Sequence, residues 1–345
     1  MGHSIKLYPR HQASANAAYP KDLVVVITGA SSGIGHATAI AFAERGARVV
    51  LAARDADTLA PVAQACRDAG AASALAWPTD VTDADAVEQL ATAVLEQHGR
   101  IDVWVNGVGV GAVGRFDETP LAAHRRVVEA NLIGHLNGAH VALRHFRARG
   151  RGTLINMISV GGWIPAPYAA AYTASKFGLR GLSQALRAEV FDLPKVHVCD
   201  VAPTFVDTPG LSHGANYTGR NIHPRIPLVD PRRVARAVVA LVERPRAVTW
   251  VGAGATPGRL AQAIAPQWLG ATLQRITRWA LQRAKPVAQS DGNLFAPSQG
   301  TPIDGGQRAA NHHAAGTVVA MGVLGVAIGL WLGGRRRTPP KDLGQ

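Results

Sequence analysis

Seven short β-branched, apolar runs, separated by helix-length segments, constrain this chain more than any other feature of its sequence. They are LVVVIT (23–28), ARVVLAA (47–53), SALAW (73–77), IDVWVN (101–106), GTLINMI (152–158), VHVCDV (196–201) and AVTWV (247–251). Runs of this length without polar alternation fit strands covered on both faces, the usual state of a parallel sheet. Parallel neighbours need crossovers, and right-handed helical crossovers build a doubly wound α/β sheet with helices on both faces. The pattern predicts one seven-stranded domain over 22–252, and no internal repeat accompanies it.

The first run leads into Thr28-Gly29-Ala30-Ser31-Ser32-Gly33-Ile34-Gly35, followed by a helical pattern that Gly46 stops. Glycines let such a turn approach a pyrophosphate, whose charge is stabilised by the N–H groups of the helix behind it. Gly29, Ser31, Ser32, Gly33, Ile34 and Gly35 are therefore candidate cofactor contacts. An acid at the end of the second run would bond the ribose hydroxyls of NAD and repel a 2′-phosphate. This chain has Ala52-Ala53-Arg54 there. A guanidinium suits a phosphate through forked, charge-assisted hydrogen bonds, so Arg54 favours NADP(H) over NAD; a plain loop cation is the alternative.

Tyr172 and Lys176 stand four apart in a helical pattern and share a face. A free phenol, with a pKa of about 10, is a poor base near neutrality, and a neighbouring ammonium is expected to lower it. Set beside the glycine loop, the pair resembles the active site of the short-chain dehydrogenase/reductase family, a single-domain Rossmann type, over about 22–252. Thr28–Gly35 matches that family's Thr-Gly-x-x-x-Gly-x-Gly loop. Asp80-Val81 follows the third run, where the family contacts adenine, and Asn106-Gly107 stands at its Asn-Asn-Ala-Gly segment. Asn131 lies where the family keeps a proton-relay asparagine, Ser159 precedes Tyr172 by thirteen residues, and Pro203 and Thr208 follow the sixth run. The resemblance implies NADP(H) held by these residues together with Tyr172 and Lys176. It also implies proton exchange with a carbonyl or alcohol at Tyr172, with Lys176 lowering its pKa. Ser159 would bond the substrate oxygen, and Asn131 would hold a water that links Lys176 to solvent.

Three positions depart from the family. Gly107 replaces the second asparagine, which removes hydrogen bonds expected to brace the sheet. Thr204 follows Pro203 in place of glycine, and Ile158 replaces the first of two serines. His124, His135, His140 and His145 suggest no metal site, because only His140 and His145 are close and their spacing points them to different faces.

Beyond residue 252 the sequence changes character. Residues 253–285 read as a basic amphipathic helical segment, with Leu269, Leu273, Ile276 and Ala280 interleaved with Arg275, Arg278 and Arg283. Residues 286–313, rich in Gly, Pro, Gln and Asn, read as a linker. Residues 314–334 carry no charge and precede Arg335, Arg336 and Arg337. As a helix they would measure ~31 Å, the span of a bilayer core, and Gly325, Gly329 and Gly333 would allow self-association into a homo-oligomer. Residues 1–21 read as a polar tail with no signal sequence, and 335–345 as a basic tail. Two cysteines, Cys66 and Cys199, fit a reducing compartment. The expectation is a membrane-associated protein whose catalytic domain faces the cytoplasm, although the arginines after the span argue for the opposite orientation.

The formal net charge is +13, and 210–285 holds twelve basic residues against two acids. Solvated helix faces explain this as well as an anionic partner does; nucleic acid ranks low because no binding module accompanies the charge. The reading is an NADP-dependent oxidoreductase acting on a lipophilic carbonyl or alcohol at a membrane. Its rivals are a catalytically weak nucleotide-binding scaffold and a soluble 3-oxoacyl-carrier reductase.

Overall fold

The computed structural model describes residues 22–308 except 222–226, 254 and 299. All seven expected strands form: β1 (Val24–Thr28), β2 (Arg48–Ala53), β3 (Ser73–Pro78), β4 (Val103–Asn106), β6 (Gly152–Met157), β7 (Val196–Pro203) and β9 (Val248–Val251). They make one sheet in the order β3-β2-β1-β4-β6-β7-β9, with every pairing parallel. Two-residue strands β5 (Ala112–Val113) and β8 (Ala215–Asn216) pair separately above the carboxyl ends of the main strands.

Helices α1 (Gly33–Ala43), α2 (Ala56–Asp68), α3 (Ala84–His98), α4 (Leu121–Val128), α5 (Gly134–Arg149), α6 (Ala170–Glu189) and α8 (Pro231–Glu243) make the crossovers, and a short α7 (Gly210–His213) follows β7. Their ends are set locally. Asp55, Asp83 and Asp230 accept N-terminal amides of α2, α3 and α8, which satisfies donors that no helix can pair internally. Every residue of β1 is buried. Its Val25 and Ile27 face the core under α1, α2 and α8, and its Val24 and Val26 face the core under α3 and α5. The sheet order reverses between β1 and β4, which opens a crevice at their carboxyl ends.

After β9 the chain forms α9 (Ala255–Ile264) and α10 (Pro266–Arg283). Among the described residues no helix is long and apolar enough to cross a membrane. The apolar run 314–334 and both terminal tails lie outside the described residues.

The stretch read as a linker is docked instead. Its first part bridges the β7–α8 connection, Ser290 to Asn216 and Pro286 to Arg220. Its last described residue, Arg308, pairs with Asp230, the N-cap of α8, and with Asp207. Glycine and proline suggested a free connector, but here they permit close backbone approach: a Cβ on Gly292 would collide with the His213 carbonyl.

Candidate active site

The end of β6 and the first turns of α6 bring the expected catalytic residues together. Ser159 follows β6, and a short 3-10 turn, Val160–Gly162, carries the chain away. The Tyr172 ring packs directly over Gly161, where an added Cβ would come within 3.0 Å of it. Lys176, one turn along α6, is 2 % exposed. Its Nζ lies 5.8 Å from the Tyr172 ring centre and donates to the Met157 carbonyl at 2.9 Å.

Asn131 sits in a π-helical turn, Glu129–Ile133, between α4 and α5. It is fully buried and makes two 2.8 Å hydrogen bonds to the Val110 backbone, donating to its carbonyl and accepting from its amide. Its Nδ2 also donates to Ser175 Oγ at 3.3 Å. The extra residue in the turn lets this side chain reach the Val110 backbone and Ser175 at once.

The electrostatics depart from the simple expectation. Burial holds the Tyr172 phenol above its ordinary pKa, against the opposing effect of the Ser159 hydrogen bond. Burial also lowers Lys176 to about 7. Desolvation penalises both charged forms, so in this site it outweighs the depression of Tyr172 that Lys176 was expected to supply. Near neutrality the tyrosine is a protonated phenol.

The glycine turn is formed as expected. A Cβ on Gly35 would collide with the Gly29 carbonyl, so the loop closes only with glycine there. Ser32 is the N-cap of α1, yet its side chain caps no amide, and the first turn holds no acid. Thr208 packs 3.2 Å from the position of a Gly33 Cβ, which brings the segment after Pro203 over the loop. A glycine turn leading into a helix N-terminus with no side-chain cap and no acid, beside a buried lysine, is what a dinucleotide requires, so the residues fit that cofactor, with the Gly33 amide taken by the Pro302 carbonyl.

Other expected contacts are spent inside the protein. Asn106 is buried, donating to the His135 carbonyl and Asn156 Oδ1 and accepting from Trp104 Nε1; it braces the sheet and does not line the crevice. The bracing expected to be lost at Gly107 is rebuilt. Thr28 Oγ1 accepts the Gly107 amide at 3.1 Å, and the His135 ring bonds the Val108 carbonyl at 2.8 Å. Ile158 is explained by packing, since it joins Trp163, Leu179 and Ala202 in a small core. Val81 is buried, and Asp80 is held by Arg126 at 2.8 Å and by Thr82.

Arg54 stands where expected at the end of β2, but its guanidinium donates to the carbonyls of Asn293, Leu294 and Ala296. Sequence reasoning missed Arg126, which donates to the Leu294 carbonyl while pairing with Asp80. It also missed Leu294, which is 1 % exposed among Ala112, Ala123 and Val127. A cavity of about 410 Å³, lined by Leu121, Ala122, Arg125, Arg126, Glu129 and Phe295, opens beside this segment and not over Tyr172.

Comparison with known proteins agrees with the fold and the family resemblance. The family described as short chain dehydrogenase matches residues 23–215. An uncharacterized oxidoreductase of Bacillus subtilis, YxnA, is 33% identical over 260 residues, covering 74% of this chain and 70% of that protein. The cis-4-hydroxycyclohexanecarboxylate dehydrogenase of Sinomonas cyclohexanicum is 40% identical over 225 residues, covering 63% of this chain and 88% of that enzyme. A metagenomic short-chain oxidoreductase solved in complex with NADP is 32% identical, with a TM-score of 0.58 over 68% of this chain and 98% of the other.

Proposed function

The chain belongs to the short-chain dehydrogenase family, and from that premise we propose that it is an NADP(H)-dependent oxidoreductase that interconverts a carbonyl and a secondary alcohol, with Tyr172 as proton donor and acceptor. The observation that carries the reading is the meeting of Tyr172, Lys176, Ser159 and Asn131 at one crevice, reached from β6, α6 and the π-turn. A scaffold that only held a nucleotide would not need that set.

The nicotinamide supplies hydride exchange with the substrate carbon. Tyr172 gives its proton to the carbonyl oxygen during reduction, and its raised pKa keeps the phenol loaded for this at neutral pH. The hydroxyl of Ser159 donates to the same oxygen, a bond that strengthens as negative charge develops there. Lys176 Nζ, buried and oriented by the Met157 carbonyl, stabilises the tyrosinate left behind and returns its proton. Asn131 holds the π-turn on the Val110 backbone and keeps the relay's far end in place. In oxidation each proton runs the other way.

Gly29, Ser31, Ser32, Gly33, Ile34, Gly35, Pro203 and Thr208 would hold the dinucleotide, and Arg54 favours its 2′-phosphorylated form. The solved relative in complex with NADP supports that choice. A secondary alcohol on a ring is named in the Sinomonas enzyme and supports the substrate class.

A lipophilic substrate drawn from an anionic membrane surface fits the α9–α10 arm. Gly258 of α9 packs against Ile164, just past Ser159, and Arg259 stacks 4.4 Å from the Trp250 ring. The arm therefore flanks the crevice. Leu260, Ile264, Trp268, Ile276 and Trp279 stand exposed on it, beside Arg275, Arg278 and Arg283. Aromatic and basic side chains exposed together on one helix suit a lipid headgroup layer.

Tyr172→Phe tests the chemistry. The variant should lose at least about a hundredfold in kcat for ketone reduction, while NADPH binding, followed by fluorescence, stays within about twofold. Undiminished turnover would remove Tyr172 from the mechanism.

A further inference from the structure

Three carbonyls of one segment surround the guanidinium that the cofactor's 2′-phosphate would need. Arg54 Nη1 donates to Leu294 O at 3.1 Å, and its Nη2 donates to Asn293 O at 2.9 Å and Ala296 O at 3.0 Å. Arg126 Nε adds a bond to Leu294 O at 3.2 Å. The segment is seated by more than these contacts. Leu294 is buried in an apolar socket of Ala112, Ala123 and Val127. Tyr217 Oη donates to Asp291 at 2.6 Å, and the Asn293 amide donates to His213 O at 2.9 Å. Farther on, Pro302 O accepts the first amide of α1, that of Gly33, at 3.0 Å. Two parts of the docked stretch thus accept hydrogen bonds at the two ends of the crevice, 293–296 at the adenosine end and Pro302 at the pyrophosphate end.

We infer that residues 291–296 are a cofactor-selectivity strap, which blocks Arg54 until a dinucleotide carrying a 2′-phosphate displaces it. The inference rests on the reading of Arg54 as a phosphate ligand. The selectivity follows from the chemistry of the rivals. A phosphate dianion makes charge-assisted, forked bonds to a guanidinium and outcompetes neutral carbonyls; the ribose hydroxyl of NAD(H) does not. The strap therefore filters cofactors twice: Arg54 rewards the phosphate, and a ligand without one leaves the strap docked. Apparent affinity is reduced by the fraction of molecules whose strap is seated, so loosening the strap tightens binding.

Two measurements on the full-length protein test this without turnover, using 2′,5′-ADP and 5′-AMP as probes. The first is the rate of chymotryptic cleavage after Phe295, an exposed residue of the strap. Cleavage needs the segment to leave the surface. Saturating 2′,5′-ADP should accelerate it on the order of tenfold, and 5′-AMP should not; slower cleavage with 2′,5′-ADP would show a strap that closes over the ligand, overturning the inference. The second is calorimetric affinity in Leu294→Ser, with Tyr217→Phe as a milder variant that removes only the Asp291 bond. Affinity for 2′,5′-ADP should rise by about tenfold in Leu294→Ser and by less in Tyr217→Phe, with 5′-AMP within about twofold of the parent. Unchanged or weaker 2′,5′-ADP binding in both variants refutes the strap. Arg54→Gln separates the premise from the inference. If it leaves 2′,5′-ADP affinity untouched, the phosphate reading fails and the strap's selectivity fails with it. If it lowers that affinity while the strap variants match the parent, only the strap is wrong.

Discussion

His135 faces the back of the catalytic crevice with one ring nitrogen on the Val108 carbonyl and Nδ1 without a partner. Burial, aided by the Lys176 charge, lowers its pKa to about 3. The sign of the resulting stability effect is fixed. Above pH ~6.5 the ring is neutral in both folded and unfolded chains. Between there and about 3 the unfolded chain binds a proton that the folded chain refuses, so stability falls as pH falls, by up to about 1.4 kcal/mol per pH unit from this group. His135→Gln keeps a donor within reach of Val108 and cannot titrate. Urea unfolding of that variant should show a pH dependence about one proton shallower between pH ~6 and ~4. An identical slope would mean that His135 is protonated in the fold. None of this was visible in the sequence, where His135 is one of thirteen scattered histidines; its role is a backbone contact, and backbone contacts leave no residue pattern.

At the scale of elements, the β1 and β4 ends show why a departure from the family can be structural and not a loss. A Cβ on Gly107 would come 2.5 Å from the Thr28 carbonyl, so this pair of loops is spaced for glycine. Gly107→Asn, which restores the usual family residue, should cost about 1–3 kcal/mol in unfolding free energy as overpacking, measured by urea titration. A gain in stability would show that the loops re-space freely. The central strands were legible because burial on both faces demands an uninterrupted apolar run; the edge strands β3 and β9 are only partly buried and were legible from their apolar, β-rich residues. The four candidate catalytic positions could be singled out because Ser159, Tyr172 and Lys176 keep the family's spacing and Asn131 its place, and the fold sets them at the end of β6, in α6 and in the π-turn. The strap was illegible for the opposite reason. Asn293, Leu294 and Ala296 act through carbonyls that any residue possesses, and the glycines that let them approach read as flexibility. The one available signal was the Leu294-Phe295 pair, apolar inside a polar stretch. The rise of the Tyr172 pKa is hidden from the sequence in a similar way: the spacing of Lys176 reveals a charge, but desolvation is a property of the packed site.

For the whole molecule, the basic excess resolves into two populations. Some of the arginines are internal fastenings: Arg308 pairs with Asp207 and Asp230, Arg187 pairs with the buried Asp200, and Arg126 holds Asp80. The arm is different. No acid occurs from 244 to 290, a stretch with seven basic residues, and α10 buries none of its side chains. Arg283 lies 4.4 Å over the Trp279 ring, so cation and aromatic are presented together. Near an anionic leaflet each such cation contributes about 1 kcal/mol, and Arg275, Arg278 and Arg283 together about 3 kcal/mol, on the order of a hundredfold in partitioning. Full-length protein should co-sediment with phosphatidylglycerol-containing vesicles, and the triple Arg→Gln variant should do so about a hundredfold more weakly. Raising salt from about 0.1 M to about 1 M shortens the screening length from ~10 Å to ~3 Å and should erase most of the difference. Pure phosphatidylcholine vesicles separate the arm from the apolar run at 314–334, because a spanning segment needs no anionic lipid. Equal binding of parent and variant to anionic vesicles at low salt would leave the arm as a roof over the crevice alone, held by Arg259 on Trp250.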